Sequence, residues 1–200
     1  MKGFSDEQLI TDLLQGQTTA LDELFARYAR KLFVFCDNTF GTGDSQDAED
    51  LVQDVFIRVT KAAHSFDPTK ASFRTWLYRI ARNRCIDIKR KKGRFSFLRL
   101  DQQVAIDSPD EHLPLDETLS ALDEDIESQI IEAALHQAIK DCIQALENEE
   151  EREAILLYYL AGKVYREIAE ILGKSLSTAK NRVLSAQEKV KACLAGKGFP

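Results

Sequence analysis

The chain has 200 residues, of which 44% are hydrophobic and 30% are charged, with a net charge of -6, as is typical of a soluble globular protein with one large or two small domains. It contains no run of about eighteen apolar residues and starts without an apolar signal core, so we expect neither membrane insertion nor secretion. The cysteines form no zinc motif, and we expect reduced, buried thiols in a cytoplasmic protein at Cys36, Cys85, Cys142 and Cys193.

Four helices are predicted in the first half of the chain. The first begins at the capping-box sequence Ser5-Asp6-Glu7-Gln8. The second spans about 20–36 and the third about 48–63, each with apolar residues at helical spacing. The dipeptide Asp67-Pro68 interrupts the chain before a fourth helix that begins near Ser72. The inner face of the second helix is predicted to comprise Leu21, Leu24, Phe25, Tyr28 and Leu32.

An acidic segment separates the two halves of the chain. Residues 101–127 contain ten aspartates and glutamates and no lysine or arginine, and the helical periodicity fades there. We therefore predict a linker over 96–127, between a first domain at 1–95 and a second domain at 128–195. Helical spacing resumes near Ile130 and no strand-like alternation occurs, so the predicted fold class is all-α with two small helical domains.

The fourth helix concentrates positive charge in an acidic protein. Residues 61–94 hold eleven lysines and arginines against two aspartates. Such a helix favours a phosphate backbone, and aromatic and amide groups beside the cations favour the unstacked bases of a single strand. The alternatives are a solvated basic surface and nonspecific RNA binding. Trp76 keeps the apolar spacing of a core residue. The residues predicted to lie off the apolar stripe are Arg74, Tyr78, Arg82, Asn83 and Arg90.

Residues 164–190 have the pattern of a helix-turn-helix. Gly173 suits a left-handed end to the first helix, and Ser175 can cap the second. A second helix of this kind places its N-terminal residues against base edges in the major groove, where Asn suits adenine and Lys suits guanine. A three-helix bundle with a solvated polar face is the alternative. The residues predicted to point away from the core are Ser177, Lys180, Asn181 and Leu184.

The order of these motifs resembles a known family. The chain carries DAEDLVQDVFIRV, then ASFRTWLYRIARNRCIDIKRKKGR, an acidic linker, and LYYLAGKVYREIAEILGKSLSTAKNRVLSAQEKV. This order resembles that of bacterial sigma-70 factors, and the short two-domain form is similar to their extracytoplasmic-function (ECF) group. The resemblance covers about 6–194. It implies a region 2-like helical bundle at 1–95 and a region 4-like helix-turn-helix at 128–195.

The resemblance implies two roles for the first domain. One helix would dock on the clamp helices of the polymerase largest subunit through Asp47, Glu49, Asp50, Gln53 and Asp54. Acids near a helix N-terminus also suit the helix dipole, so docking rests on the resemblance alone. The following turn and basic helix would melt the promoter -10 element and read it as a single strand through Phe66, Arg74, Tyr78, Arg82, Asn83, Arg90 and Lys91.

The second domain would read the -35 element as duplex DNA. The residues that the resemblance assigns to this face are Arg166, Ser177, Thr178, Lys180, Asn181 and Arg182. The recognition helix then continues through Leu184-Ser185-Ala186-Gln187-Glu188, which is less basic than the family pattern. Fewer phosphate contacts predict weaker -35 binding with a shallower salt dependence. The acidic linker would thread toward the polymerase cleft, where its charge would imitate a phosphate backbone.

The implied protein is a sigma factor without catalysis, cofactor or metal. Its partners would be core RNA polymerase (clamp helices and flap), promoter DNA and an anti-sigma protein. Two alternatives are a stand-alone helix-turn-helix regulator, which would bind duplex DNA tightly without polymerase, and a polymerase-binding protein that does not read promoters. An enzyme is disfavoured because the histidines show no metal or triad spacing and no phosphate-binding loop motif occurs.

Overall fold

The computed structural model describes residues 3–40, 45–98 and 126–199. Within these residues the protein is helical, which confirms the predicted all-α class. Most of the predicted linker at 96–127 lies outside the described residues, so the domain bounds stay a prediction. The helices are α1 Asp6–Leu14, α2 Thr18–Phe40, α3 Ser45–Ala62, α4 Phe73–Leu98, α5 Ile126–Gln144, α6 Glu149–Tyr159, α7 Tyr165–Leu172 and α8 Leu176–Gly196, with a 3-10 turn at Ala63–Ser65.

Helices α1–α4 form what we call the first domain. The predicted capping box begins α1, because the Gln8 amide donates to Ser5 Oγ (3.2 Å) and the Ser5 amide donates to Gln8 Oε1 (2.8 Å). Trp76 lies in the core, as predicted. Phe25, which was predicted to face inward, is instead 42% exposed and packs against Phe56 at the α2–α3 edge, with ring centroids 4.9 Å apart.

Helices α5–α8 form the second domain. Asn148 caps α6 by accepting from the amides of Glu150 (2.9 Å) and Glu151 (3.3 Å). The inner faces of α7 and α8 are those predicted from the helix-turn-helix pattern, since the buried residues include Ile168, Ile171, Leu172, Ala179, Val183, Ala186 and Val190. None of the described helices combines the length and apolar character needed to cross a membrane.

The two domains pack against each other. Helix α4 lies on α7, and α2 lies on α5 and α6, so one continuous apolar cluster includes residues from both domains. At the α2–α5 contact, Lys140 Nζ lies 3.2 Å from Asp37 Oδ2. We call this packed position of the two domains the closed arrangement. It decides which of the predicted nucleic-acid contacts are accessible.

The expectation that all four cysteines are free is wrong. Cys142 of α5 and Cys193 of α8 form a disulfide, with their Cα atoms 5.8 Å apart. The two residues are 51 positions apart in the sequence, and only the packing of α5 on α8 brings them together. Cys36 and Cys85 are free and buried, as expected. The disulfide lies at the edge of a small apolar cluster with Leu146, Ile155, Ala186 and Val190.

Replacement of Cys193 by serine should lower the free energy of unfolding. A cross-link that closes a loop of 51 residues restricts the unfolded chain by up to about 4 kcal/mol. Urea unfolding of the oxidised protein and of Cys193→Ser measures the difference. Dithiothreitol should destabilise the wild type to a similar degree and have no further effect on Cys193→Ser. Equal midpoints for the oxidised wild type and the variant would contradict the assignment.

Candidate nucleic-acid interface

The turn before α4 is fixed by one aspartate. Asp67 Oδ1 accepts from the amide of Thr69 (3.0 Å) and from its hydroxyl (2.6 Å). These Thr69 hydrogen bonds, with one from Lys70, lower the pKa of Asp67 to about 2. The turn places Phe66 partly buried beside Phe73 and Trp76, at ring-centroid distances of 6.0 and 5.4 Å. The predicted base-contacting Phe66 is therefore held in an aromatic cluster with part of its ring exposed.

Arg74, Tyr78 and Arg82 follow one another at intervals of four residues on one face of α4, and we call them the α4 stripe. Two of its members contact the second domain. Arg74 Nη1 donates to the carbonyl oxygen of Ala161 at 3.2 Å, and Arg82 Nε donates to Glu153 Oε2 at 2.8 Å. Arg82 is partly buried by its contact, whereas Arg74 stays exposed.

Tyr78 does not lie off the core face as the sequence pattern predicted. Its side chain is only 1% exposed, and its ring meets Phe35 edge-on at a centroid distance of 5.3 Å. The physical reason is tertiary, because this side of α4 packs against α2 within the first domain. Burial raises the pKa of Tyr78, and its hydroxyl has no hydrogen-bond partner among the described residues.

Asn83, Arg90 and Lys91 remain on the surface. All three are exposed in the closed arrangement, and Arg90 and Lys91 lie farther along α4 than the α4 stripe. Their neighbour Lys89 is partly covered and pairs with Glu149 of α6 at 2.9 Å. Of the predicted contacts on α4, Tyr78 is therefore buried and Arg82 partly buried, whereas the other four are exposed.

A buried polar cluster joins the domains beside the α4 stripe. Glu167 Oε1 accepts from Lys163 Nζ and from the Thr75 hydroxyl, each at 2.7 Å. Lys163 Nζ also donates to Thr75 Oγ1 at 3.0 Å, although its side chain is only 2% exposed. Burial lowers the pKa of Lys163, and the pair with Glu167 opposes that shift. A charge at this depth is tolerated only because the cluster satisfies it.

Sequence reasoning did not identify the acidic residues of α6 as interface residues. Glu153 is buried and pairs with Arg82, and burial raises its pKa although Arg82 acts in the opposite direction. Glu150 pairs with Lys174 of the helix-turn-helix (2.8 Å), and Glu151 pairs with Lys189 of α8 (2.6 Å). The sequence does contain one sign of this interface, because the charged Glu153 directly precedes the apolar run Ala154–Leu157.

The helix-turn-helix has the predicted local geometry. Gly173 ends α7 at φ 66°, in the left-handed region that favours glycine. Ser175 caps α8 by accepting from the amide of Thr178 at 3.2 Å. Beyond this cap, the N-terminal part of α8 presents an open polar face. Its exposed residues are Ser177, Lys180, Asn181 and Leu184.

Three other predicted -35 residues have partners within the protein. The Thr178 hydroxyl lies 2.8 Å from Ser175 Oγ and supports the cap. Arg182 is turned back toward α6, where its Nε lies 3.3 Å from Glu150 Oε2. Arg166 is highly exposed and makes a loose pair with Glu170 at 3.6 Å. In this structure the open reading face of α8 is therefore centred on Lys180 and Asn181.

The predicted polymerase-docking residues on α3 differ in accessibility. Asp50 and Gln53 are exposed, whereas Asp47 and Glu49 are half-buried. Asp54 bridges Arg58 on its own helix and Arg84 on α4, so it ties α3 to α4. Burial alone would raise the pKa of Asp54, but hydrogen bonds from the two arginines hold it below its ordinary value.

A shallow cavity of about 290 Å³ lies beside these α3 residues, between α2 and α3. Its apolar lining includes Phe25, Phe33 and Val52, and its polar lining includes Glu49 and Gln53. An exposed aromatic edge next to acidic and amide side chains suits a protein partner. Among the described residues, no group of three histidine, cysteine, aspartate or glutamate side chains could hold a metal ion.

The fold and these faces define a two-domain helical protein with a candidate nucleic-acid helix in each domain. Two known protein families match the chain. Residues 23–95 match the family Sigma-70 region 2, and residues 136–189 match the family Sigma-70, region 4. The RNA polymerase sigma factor NccH of Alcaligenes xylosoxydans xylosoxydans is 31% identical to this chain over 189 residues. The match covers 94% of this chain and 94% of that relative.

Two further relatives support the assignment. The ECF RNA polymerase sigma factor SigE of Mycolicibacterium smegmatis is 28% identical over 182 residues, which span 90% of this chain but 64% of that relative. The sigma factor RpoE of Bartonella quintana, solved in complex with the anti-sigma factor NepR, is 26% identical with a TM-score of 0.65, covering 87% of this chain and 96% of that chain. The chain belongs to the sigma-70 family and to its ECF group, and it is an alternative sigma factor of transcription initiation.

The unpaired Tyr78 hydroxyl leads to a stability prediction. Tyr78→Phe should leave the free energy of unfolding unchanged or raise it by about 1 kcal/mol, because a buried hydroxyl without a partner is removed. Tyr28→Phe is the matched control, since the Tyr28 hydroxyl donates to Asp6 and its loss should destabilise the protein. Urea unfolding compares the two variants. A larger loss of stability in Tyr78→Phe than in Tyr28→Phe would contradict this assignment.

Proposed function

We propose that this sigma factor binds core RNA polymerase in the cytoplasm and directs it to promoters by reading two elements. The first domain would read the -10 element as a melted single strand through α4, and the second would read the -35 element as duplex DNA through α8. The observation that carries the proposal is the exposed polar face at the start of α8, with Lys180 and Asn181 at its centre, on a capped helix-turn-helix.

The chemistry of each face supports a different form of DNA. On α8, Lys180 and Asn181 suit guanine and adenine edges, and the exposed Leu184 suits a thymine methyl group. On α4, Asn83, Arg90 and Lys91 combine an amide with cations, which suits the bases and backbone of a single strand. Because Arg182 already pairs with Glu150, few phosphate contacts are available on α8, which supports weak -35 binding.

The core-binding surface would be the α2–α3 edge. Asp50 and Gln53 are exposed beside the cavity lined by Phe25 and Phe33, so acidic and apolar groups are available together. The proposed dock is the clamp helices of the largest subunit, and the second domain would meet the flap. An anti-sigma protein is a further proposed partner, because the similar Bartonella quintana factor was solved in complex with one.

The direct test is reconstitution of the protein with bacterial core polymerase, followed by genome-wide mapping of transcript starts. The proposal predicts starts downstream of a shared pair of sequence elements, with permanganate-reactive thymines in the upstream melted segment. Tight binding to duplex DNA without polymerase, and no promoter-directed transcripts with it, would favour the stand-alone regulator. Core binding without transcripts would favour a polymerase-binding protein that does not read promoters.

Asp50→Lys should weaken binding to core polymerase about tenfold, because it reverses an exposed charge at the proposed dock. Asp54 is left intact, since its pairs with Arg58 and Arg84 stabilise the fold. Asp87→Lys is the control, as it makes the same charge change at an exposed site on α4. Fluorescence anisotropy measures both affinities. Equal affinities for the two variants would remove the docking assignment.

Arg90→Ala combined with Lys91→Ala should reduce promoter opening about tenfold and leave core affinity nearly unchanged. Both side chains are exposed and would hold the backbone of the melted strand. Permanganate reactivity reports the opening, and anisotropy reports core binding. Lys61→Ala with Lys191→Ala removes the same charge elsewhere and should have little effect on either quantity. Parallel losses of opening and core binding would argue against the assigned role.

A further inference from the structure

The side of α8 that carries Arg182 and Lys189 lies next to the reading face centred on Lys180, and we call it the α8 flank. It packs against the first turn of α6, where it meets Glu150 and Glu151. When a helix enters the major groove, side chains beside its reading face are the ones placed to reach the phosphate backbone. The acids of α6 therefore lie beside side chains that would otherwise contact phosphates.

Two carboxylates hold three cations at the α8 flank and the turn before α8. Glu150 pairs with Lys174 at 2.8 Å and lies 3.3 Å from Arg182 Nε. Glu151 pairs with Lys189 at 2.6 Å and lies 3.9 Å from Arg182 Nη1. Three positive and two negative charges leave a net charge of only +1. Most of the positive charge available on this side of α8 is thus neutralised within the protein.

The two acids differ in burial. The side chain of Glu151 is only 5% exposed, whereas that of Glu150 is 29% exposed. Burial acts to raise the pKa of Glu151, but hydrogen bonds from Lys189 and Ser185 hold it below its ordinary value. A buried carboxylate of this kind depends on its partners. Glu151 therefore belongs to the packing of α6 on α8, whereas the charge of Glu150 also acts on ions outside the protein.

The start of α6 does not require the carboxylate of Glu150. Asn148 caps the helix through the backbone amide of Glu150, which any residue at this position would supply. Acids in the first turn favour the helix dipole, but Glu149 and Glu151 provide that charge as well. The hydrogen bond from Lys174 lowers the pKa of Glu150, so its carboxylate is ionised near neutral pH.

We propose that Glu150 sets the affinity of the second domain for duplex DNA. By neutralising Lys174 and Arg182, it keeps the sequence-independent attraction to phosphates small and leaves recognition to Lys180 and Asn181. The inference rests on the proposed function, because it assumes that α8 enters the groove of a duplex. Weak sequence-independent binding leaves more of the protein free to meet polymerase, since non-specific sites far outnumber promoters.

The test is Glu150→Gln in the full chain, with a fluorescent mixed-sequence duplex of about 30 base pairs as the probe. Anisotropy measures the affinity at potassium chloride concentrations from about 50 to 200 mM. Release of one or two cations should steepen the plot of log affinity against log salt by about 0.9 to 1.8. At the lowest salt concentration we expect about fivefold tighter binding. Other basic residues contribute equally to both proteins, so the difference in slope reports Glu150.

Glu147→Gln is the matched control, because Glu147 is exposed and directly precedes the Asn148 cap. It removes the same charge and should leave the salt slope unchanged. A triple variant tests which cations are released. Glu150→Gln combined with Lys174→Gln and Arg182→Gln should lose the gain in slope, because the cations that Glu150 neutralises are then absent.

An unchanged salt slope for Glu150→Gln, with the circular dichroism of the wild type, would overturn the proposal. A lower free energy of unfolding with an unchanged slope would overturn it too, since Glu150 would then act only on the stability of α6. A steeper slope that persists in the triple variant would assign the effect to other cations and would also overturn it. If Glu150→Gln loses helicity, Glu150→Ala replaces it, because alanine favours a helix, and the same slope is expected.

Transcript mapping with core polymerase separates this inference from the proposed function, because the mixed-sequence duplex requires no promoter. Promoter-directed starts with both the wild type and Glu150→Gln, together with equal salt slopes for the two free proteins, would remove the inference alone. No promoter-directed starts with either protein would remove the proposed function, and the role assigned to Glu150 with it.

Discussion

The ion pair between Arg82 and Glu153 sets the relation between the two halves of the molecule. Both side chains are largely buried, at 15% and 5% exposure, so neither charge is solvated well enough to do without the other. Loss of one partner of such a pair typically costs about 3–5 kcal/mol. Full separation of the domains avoids that cost, because it returns both charges to water. The interface therefore favours two states, fully closed or fully open.

The Lys163–Glu167 cluster likewise favours either a fully closed or a fully open arrangement of the domains. Its lysine is satisfied by Glu167 and Thr75 in the closed arrangement, and each group can be hydrated when the domains part. Burial alone would raise the pKa of Glu167, but the hydrogen bonds from Lys163 and Thr75 hold it below the ordinary value. Charged groups between the domains thus fix how the two domains pack without making their contact irreversible.

The local elements could be predicted from the sequence because their signals are local. The capping box at Ser5, the left-handed Gly173 and the Ser175 cap each depend on neighbours within a few residues, and each is found where expected. The family could also be predicted, since two separate motifs occur in the order that sigma factors share.

The contacts between distant segments could not be predicted in this way. Tyr78 was assigned to an open face by its spacing along α4, yet its ring packs against Phe35 of α2. The Cys142–Cys193 disulfide joins helices 51 residues apart, and nothing in the spacing of the cysteines indicates it. Arg182 suited DNA by its residue type, yet it pairs with Glu150 of α6. In each case tertiary packing outweighed the local pattern.

The most direct test of the closed arrangement is an interdomain distance. Fluorophores placed at Lys61→Cys on α3 and Glu188→Cys on α8, both exposed positions, report energy transfer between the domains. The packing of α4 on α7 and of α2 on α6 predicts high transfer in the free protein. Low transfer in a protein with the circular dichroism of the wild type would contradict it.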